Sequence, residues 1–306
     1  MMDTVFLYAF FALLVVFAAV AALAPLRRWM PALALAIPAL AFGWAWLSAR
    51  EPIAVDALLL GSTFGLDAVG APLLGLTAAL WLASAVYSVG YVRDNPRKNA
   101  YWFLFTLTML GNLGLIVSLD TVSFLAFYTI MSVAAYGLVV HDRKDSSIHA
   151  GRIYMALTIA GEMLIFTGVA FAVNQSASLA FDDIREALAN SDRKTIIAAL
   201  LLAGFGIKLG VMPLHFWLPL AHPAAPTPAS AVLSGAMIKT GMLGLARLLP
   251  FGYPGLEDVG AVLIGAGVFS AFVAALLGAA QSDAKAALAY SSISQMGLIA
   301  LALGAV

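Results

Sequence analysis

Two lysines and a glutamate stand where this 306-residue chain can least easily keep a charge. Lys208 lies near the middle of the apolar run 195–220, Lys239 at the centre of the run 229–249, and Glu162 half-way along the run 153–173. At the centre of a bilayer a lysine costs about 2.5 kcal/mol or more on the insertion scale, so it faces protein or water rather than lipid. Snorkelling along its own stem is the other way to keep the charge, and it works near helix ends and poorly at mid-span. A carboxylate at that depth takes up a proton or is held ionised by a cation, and a lysine of the next run is its natural partner. Buried groups of opposite charge beside an interrupted helix are the chemistry of an ion path.

The interruption is written in prolines. Pro213, Pro219, Pro223, Pro226 and Pro228 punctuate the stretch between the two lysines. Pro213 lacks an N–H and its ring clashes with the preceding turn, so the run 195–220 should break there and free carbonyls from about Leu209 to Val211. His215 and His222 flank the break, where a histidine can relay protons or satisfy freed carbonyls. A structural role suits His215 at least as well, and His222, ahead of Lys239, is the better relay candidate.

Other polar groups carry weaker signals. Asp120 separates two spans and suits a helix cap, with a place on the path as the second possibility. Tyr290, Ser291, Ser294 and Gln295 fall on one helical face, which lines water or hydrogen-bonds a neighbouring helix. Asp283 and Lys285 sit at the cytoplasmic mouth of that helix. The sequence has no cysteine, which excludes disulfides, thiolate metal sites and cysteine-held clusters. No metal site and no cofactor are expected in this chain.

The elements that position these residues follow from composition. Hydrophobic residues make up 63% of the chain and charged residues 10%, with a mean hydropathy of +0.98. Such a chain is an all-α polytopic membrane protein. A net charge of zero and four histidines give no hint of nucleic-acid binding. Ten spans are expected, at about 4–24, 31–49, 70–91, 101–119, 121–140, 153–173, 195–220, 229–249, 259–280 and 285–304. The first lacks a basic flank and reads as a span, not a cleaved signal peptide.

With the N-terminus outside, the cytoplasmic joints hold Arg27, Arg28, Arg93, Arg97, Lys98, Arg143, Lys144, Arg152 and Lys285. The opposite side holds Arg50, Arg185, Arg193, Lys194 and Arg247. The excess of basic residues on the first set supports that orientation. Residues 50–70 read as an outer loop with a short hairpin. In the polar joint 174–194, Leu179, Phe181, Ile184, Ala187 and Leu188 suggest a short amphipathic surface helix.

The stretch GFGIKLGVMPLHFWLPLAHPAAPTPASAVLSGAMIKTG, from Gly204 to Gly241, resembles the central signature of the antiporter-like subunits of respiratory complex I, group 4 membrane-bound hydrogenases (the formate hydrogenlyase type) and Mrp antiporters. PLHFWLPLAHPAAP and SGAMIKTG lean toward the hydrogenase branch. QSDAKAALAYSSISQMG resembles the start of that family's tenth helix, and LDAVGAPLLGLTAALWLASAVYSVGY is a weaker match.

The resemblance implies a fourteen-helix fold with two inverted five-helix repeats, each with a broken helix and a buried lysine. Lys208 then matches the lysine of the broken seventh helix, Lys239 that of the eighth, and His222 the histidine before it. Two departures stand out. The family's Trp-Glu pair in helix five is replaced by Tyr128 and Thr129, so Glu162 becomes the candidate to tune Lys208, with Thr129 a possible lining residue. The chain also stops at Val306, which implies a truncated form of the fold without helices eleven to fourteen, whether a fragment, a split subunit completed by another chain or a naturally short one. The expected segments are 1–100 (scaffold helices one to three), 101–250 (the first half-channel) and 251–306 (the start of the second repeat).

The function implied is proton translocation by a membrane subunit of a redox-driven complex. Its partners would be other membrane subunits, the lipid bilayer and protons, with Na⁺ as the alternative ion, and its place the inner membrane of a prokaryote. Catalysis would belong to the partner subunits. A cation/proton antiporter subunit of the Mrp class, a subunit of an energy-coupled inorganic-carbon uptake system and a structural anchor with an inactive channel are the alternatives.

Overall fold

Helices form wherever the apolar runs are long enough, and polar or proline-containing joints end them. The computed structural model describes residues 2–252 and 255–305. In chain order, α1 (Met2–Ala22) leads through a 3-10 turn (Ala24–Trp29) to α2 (Met30–Leu47). A hairpin of β1 (Ile53–Val55) and β2 (Ser62–Phe64) precedes α3 (Gly70–Tyr91), α4 (Lys98–Val117), α5 (Thr121–Val139) and α6 (Asp145–Ser176). Then come α7 (Phe181–Ala189), α8 (Lys194–Leu209), α9 (Leu218–Ala224), α10 (Thr227–Val232), α11 (Lys239–Leu248), α12 (Glu257–Ala279) and α13 (Ala284–Gly304). Among the described residues, nine helical stretches are long and apolar enough to cross a membrane. The expected run 195–220 is the interrupted pair α8 and α9, so ten apolar runs are accounted for.

Two spans differ from expectation. The sixth begins at Asp145 rather than near residue 153 and runs for 32 residues, because its first turns, with exposed His149 and Arg152, continue the helix as a polar extension. The eighth is not one continuous helix. Between α10 and α11 lies a π-helical turn, Leu233–Met237, and Lys239 opens the helix that follows it. Such turns interrupt the regular i to i−4 ladder and frequently mark functional sites.

Packing divides the chain into two units, Met1–His141 with Pro226–Ala236, and Asp142–Ala225 with Met237–Val306. This division cuts across the three segments expected from sequence. In the first unit, the Trp81 indole donates to Asn112 Oδ1 at 2.8 Å and Ser84 Oγ donates to the Pro228 carbonyl at 2.6 Å. Asp3 fastens α1 to α2 by accepting from Trp44 Nε1 at 2.9 Å and the Ala49 N–H at 3.0 Å. The hairpin expected within residues 50–70 is present, with Ala54 opposite Thr63. The second unit holds α6 to α9 and α11 to α13. Its amphipathic helix, expected from the polar joint, is α7, which buries Phe181, Ile184 and Leu188 at i, i+3 and i+7.

Candidate functional site

In the second unit the helices that carry Lys208 and Glu162 cross at two glycines. A Cβ on Gly204 would stand 2.7 Å from the Gly161 carbonyl oxygen and 3.0 Å from the Ile165 amide nitrogen, so α8 and α6 cross with their backbones in contact. Small residues permit this approach in membrane bundles. Glu162 follows Gly161 directly, and Lys208 lies one helical turn after Gly204. Lys208 is 5% exposed and Glu162 9%, and the carboxylate acts electrostatically on the ammonium. Lys208 Nζ also lies 5.8 Å from the centre of the Tyr154 ring. Trp217 packs edge-on to that ring, with centroids 5.2 Å apart.

The break starts three residues before Pro213. Gly210 ends α8 with φ +69°, a left-handed conformation that glycine adopts without a Cβ clash. Its N–H donates to the Gly206 carbonyl at 3.0 Å and the Ile207 carbonyl at 3.2 Å. Pro213 itself is exposed within the non-helical segment. The freed backbone groups find specific partners, as membrane burial requires. Trp217 Nε1 donates to the Ile207 carbonyl at 2.7 Å, and the Met212 N–H donates to Ser270 Oγ at 2.8 Å. The helix resumes at Leu218 with Pro219 in its first turn, where the missing N–H has no consequence. A cavity of about 390 Å³ opens beside the break, lined by Gly206, Leu209, Met212, Pro213, Val262 and Leu263 among others.

The remaining candidates separate. Lys239 is half-buried rather than fully enclosed; two residues on, a Cβ at Gly241 would stand 2.8 Å from the Phe205 carbonyl oxygen, which sets α11 tightly against α8. His222 is buried in α9, within electrostatic reach of Lys285 and Asp283. Lys285 is more than a charge at a mouth, because its Nζ donates to the Ala225 carbonyl at 2.9 Å, just past the end of α9. A cation there also complements the negative end of the helix dipole. Asp283 caps α13, accepting from the Ala286 N–H at 2.8 Å.

His215 is half-buried and lies 6.3 Å, ring to ring, from Tyr290. Ser294 Oγ donates to the Ala271 carbonyl at 2.8 Å, the helix-to-helix role of a polar stripe. Gln295 is exposed, and its amide donates to Ser291 Oγ at 3.5 Å on the same helix; one residue of helical rotation carries it past the face on which Ser294 packs. Asp120 and Thr129 belong to the first unit. Asp120 accepts from the Ser123 N–H at 2.9 Å and the Thr63 N–H at 2.8 Å, so its carboxylate caps α5 and ties down the hairpin. Thr129 is half-buried on α5.

Several residues of this site escaped the sequence reading. Tyr154, Trp217 and Ser270 stand in apolar runs with nothing in their spacing to single them out. Arg247, counted among the outer charges, is buried under α7, with its guanidinium 5.6 Å from the Phe181 ring centre. A signal existed only for the helix crossing, in Gly161 and Gly168 spaced two turns apart on one face.

A buried lysine and carboxylate next to a helix break, with a second lysine at a π-helical turn, form the arrangement against which known proteins can be compared. The family described as NADH:quinone oxidoreductase/Mrp antiporter, transmembrane, matches residues 118–306. The chain belongs to this family. Within it, the chain is 32% identical over 247 residues to hydrogenase-4 component B of Escherichia coli (strain K12), covering 79% of this chain and 37% of that protein. It is 31% identical over 252 residues to NADH-quinone oxidoreductase subunit N of Desulforudis audaxviator, covering 78% and 50%. The chain therefore spans half or less of the length of these relatives.

Solved structures agree on the antiporter-like fold. The Mrp complex of Dietzia sp. DQ12-45-1b superposes with a TM-score of 0.85 at 20% identity, over 99% of this chain and 59% of that one. An archaeal membrane-bound sulfane sulfur reductase gives 0.81 at 24% identity, over 96% and 64%.

Proposed function

We propose that this chain is a proton-translocating membrane subunit of a redox-driven, multi-subunit complex. The observation that carries the reading is the burial of Lys208 together with Glu162 at a bonded helix break. Burial makes the charge of each depend on the other, so the pair can hold or release a proton as its geometry changes. Lys208 is the central proton carrier, Glu162 replaces the acid that α5 lacks at Thr129, and Lys239 and His222 carry the proton onward. Electron transfer belongs to partner subunits, in keeping with the names of the hydrogenase and quinone-reductase relatives. The chain resides in a prokaryotic inner membrane with its N-terminus outside, as its basic residues favour.

A second reading has support of its own. A Rhizobium meliloti protein named as a probable K⁺/H⁺ antiporter component is 31% identical over 179 residues, covering 57% of this chain. In that reading the same lysines exchange protons against a metal cation. One experiment separates the two. The complex is purified through a tag on this chain and reconstituted in proteoliposomes with a pH-sensitive dye. Proton uptake that needs the redox substrate, ignores Na⁺ and K⁺ gradients and disappears in Lys208→Met supports the first reading. Uptake driven by a cation gradient alone supports the second. Uptake unchanged in Lys208→Met overturns both.

A further inference from the structure

We propose that Tyr154 is a positioning residue for Lys208, holding its charged form on the face of the phenol ring, and that Trp217 ties this seat to the helix break. The inference rests on the reading of Lys208 as the proton carrier and adds a residue and a coupling to it. Tyr154, Lys208 and Trp217 are all buried, at 1%, 5% and 3% exposure. The ammonium lies 5.8 Å from the ring centre, inside the distance of about 6 Å at which a ring quadrupole attracts a cation. That attraction is strongest where water is excluded. Glu162 lies on the same face of α6, two turns from Tyr154, so lysine, carboxylate and ring form one group.

Trp217 makes the seat respond to the break. Its ring packs edge-on against Tyr154 at 5.2 Å, while its N–H holds the carbonyl of Ile207, the residue before Lys208. Trp217 belongs to the segment between α8 and α9. Any rearrangement that releases its bond to Ile207 also removes the wall that fixes the Tyr154 ring, and the charged lysine loses its seat. The state of the break and the charge of Lys208 are coupled through two aromatic rings.

The test varies the ring face while keeping its shape. Tyr154 is replaced by phenylalanine, by mono-, di- and trifluorinated phenylalanine, and by leucine, in the purified complex. Acetic anhydride, which reacts with the neutral amine, labels Lys208 at one fixed pH, and mass spectrometry measures its rate relative to Lys239. Phenylalanine should label within about twofold of the wild type, and the rate should climb with each fluorine to roughly tenfold across the series. Leucine should react at least as fast as the trifluorinated ring. A flat series overturns the proposal, as does a phenylalanine variant as reactive as leucine, which would assign the effect to the hydroxyl. Trp217→Phe, which loses the bond to Ile207, should also raise the rate, and an unchanged rate overturns the coupling to the break. Proton uptake by the same preparations separates the two levels. A wild type that moves no protons overturns the proposed function while the labelling series still decides the seat, and a pumping wild type with a flat series overturns the seat alone.

Discussion

Gly204 approaches Gly161 so closely that a Cβ there would lie 2.7 Å from the Gly161 carbonyl oxygen. The Ile165 side chain is closer still, at 2.6 Å, and could shift, but the Gly161 carbonyl oxygen and the Ile165 amide nitrogen at 3.0 Å are backbone and cannot swing aside. Gly204→Ala should therefore push α8 off α6 and destabilise the protein by about 1–3 kcal/mol, despite alanine's better helix propensity. Because the displaced turn carries Lys208, proton uptake should fall as well. Gly206→Ala is the control, since its Cβ would meet the Leu214 side chain at 3.2 Å, and that side chain can shift. Thermal melting and dye quenching of the two variants should separate them clearly, and equal behaviour would mean that the crossing does not position the lysine.

Glu162→Gln and Lys208→Met should differ in degree. Glutamine fills nearly the volume of glutamate, so the complex should assemble while proton uptake falls. Methionine leaves the first half of the path without its titratable carrier, so uptake should disappear. Each partner of a buried pair depends on the other, so the double variant should be no worse than Lys208→Met alone. Uptake that survives in Lys208→Met and falls further in the double variant would show that the two residues act on separate paths.

Ser270→Ala should loosen the break without touching a charge. Ser270 Oγ accepts from the Met212 N–H at 2.8 Å and donates to the Ala266 carbonyl at 2.7 Å. Removing it leaves a buried N–H unsatisfied, a cost of about 1–3 kcal/mol. Melting temperature should drop, and amides 210–217 should exchange hydrogen faster than those of α6. Unchanged exchange would mean that another group holds Met212.

Asp120→Ala should weaken folding and leave transport per folded molecule unchanged. The carboxylate accepts from Ser123 and Thr63 backbone N–H groups, and loss of an N-cap costs about 0.5–2 kcal/mol. Uptake normalised to folded protein tests this. A normalised loss would return Asp120 to the proton path.

How much was legible beforehand depended on which physical signal each feature rests on. The membrane class, the span positions and the central placement of Lys208, Lys239 and Glu162 follow from the sequence, because a bilayer demands long apolar runs and makes a charge within one conspicuous. The stretch from Gly204 to Gly241 pointed to the family through its resemblance to that family's signature. The amphipathic α7 was visible in the spacing of Phe181, Ile184 and Leu188.

Tertiary packing decided the rest. Helical periodicity says which residues share a face of one helix, and it does not say which face meets which neighbour. Depth alone could suggest Lys208 for Glu162, but only the backbone contact of Gly161 with Gly204 sets their two helices against each other. The same limit hid Tyr154 beneath the ammonium, Ser270 under the break and Arg247 under α7. The break starts at the left-handed Gly210, ahead of Pro213, and tertiary partners hold it open. Ile207 is answered by Trp217, ten residues along the chain, and the Met212 N–H by Ser270 on α12, and no local pattern encodes either bond.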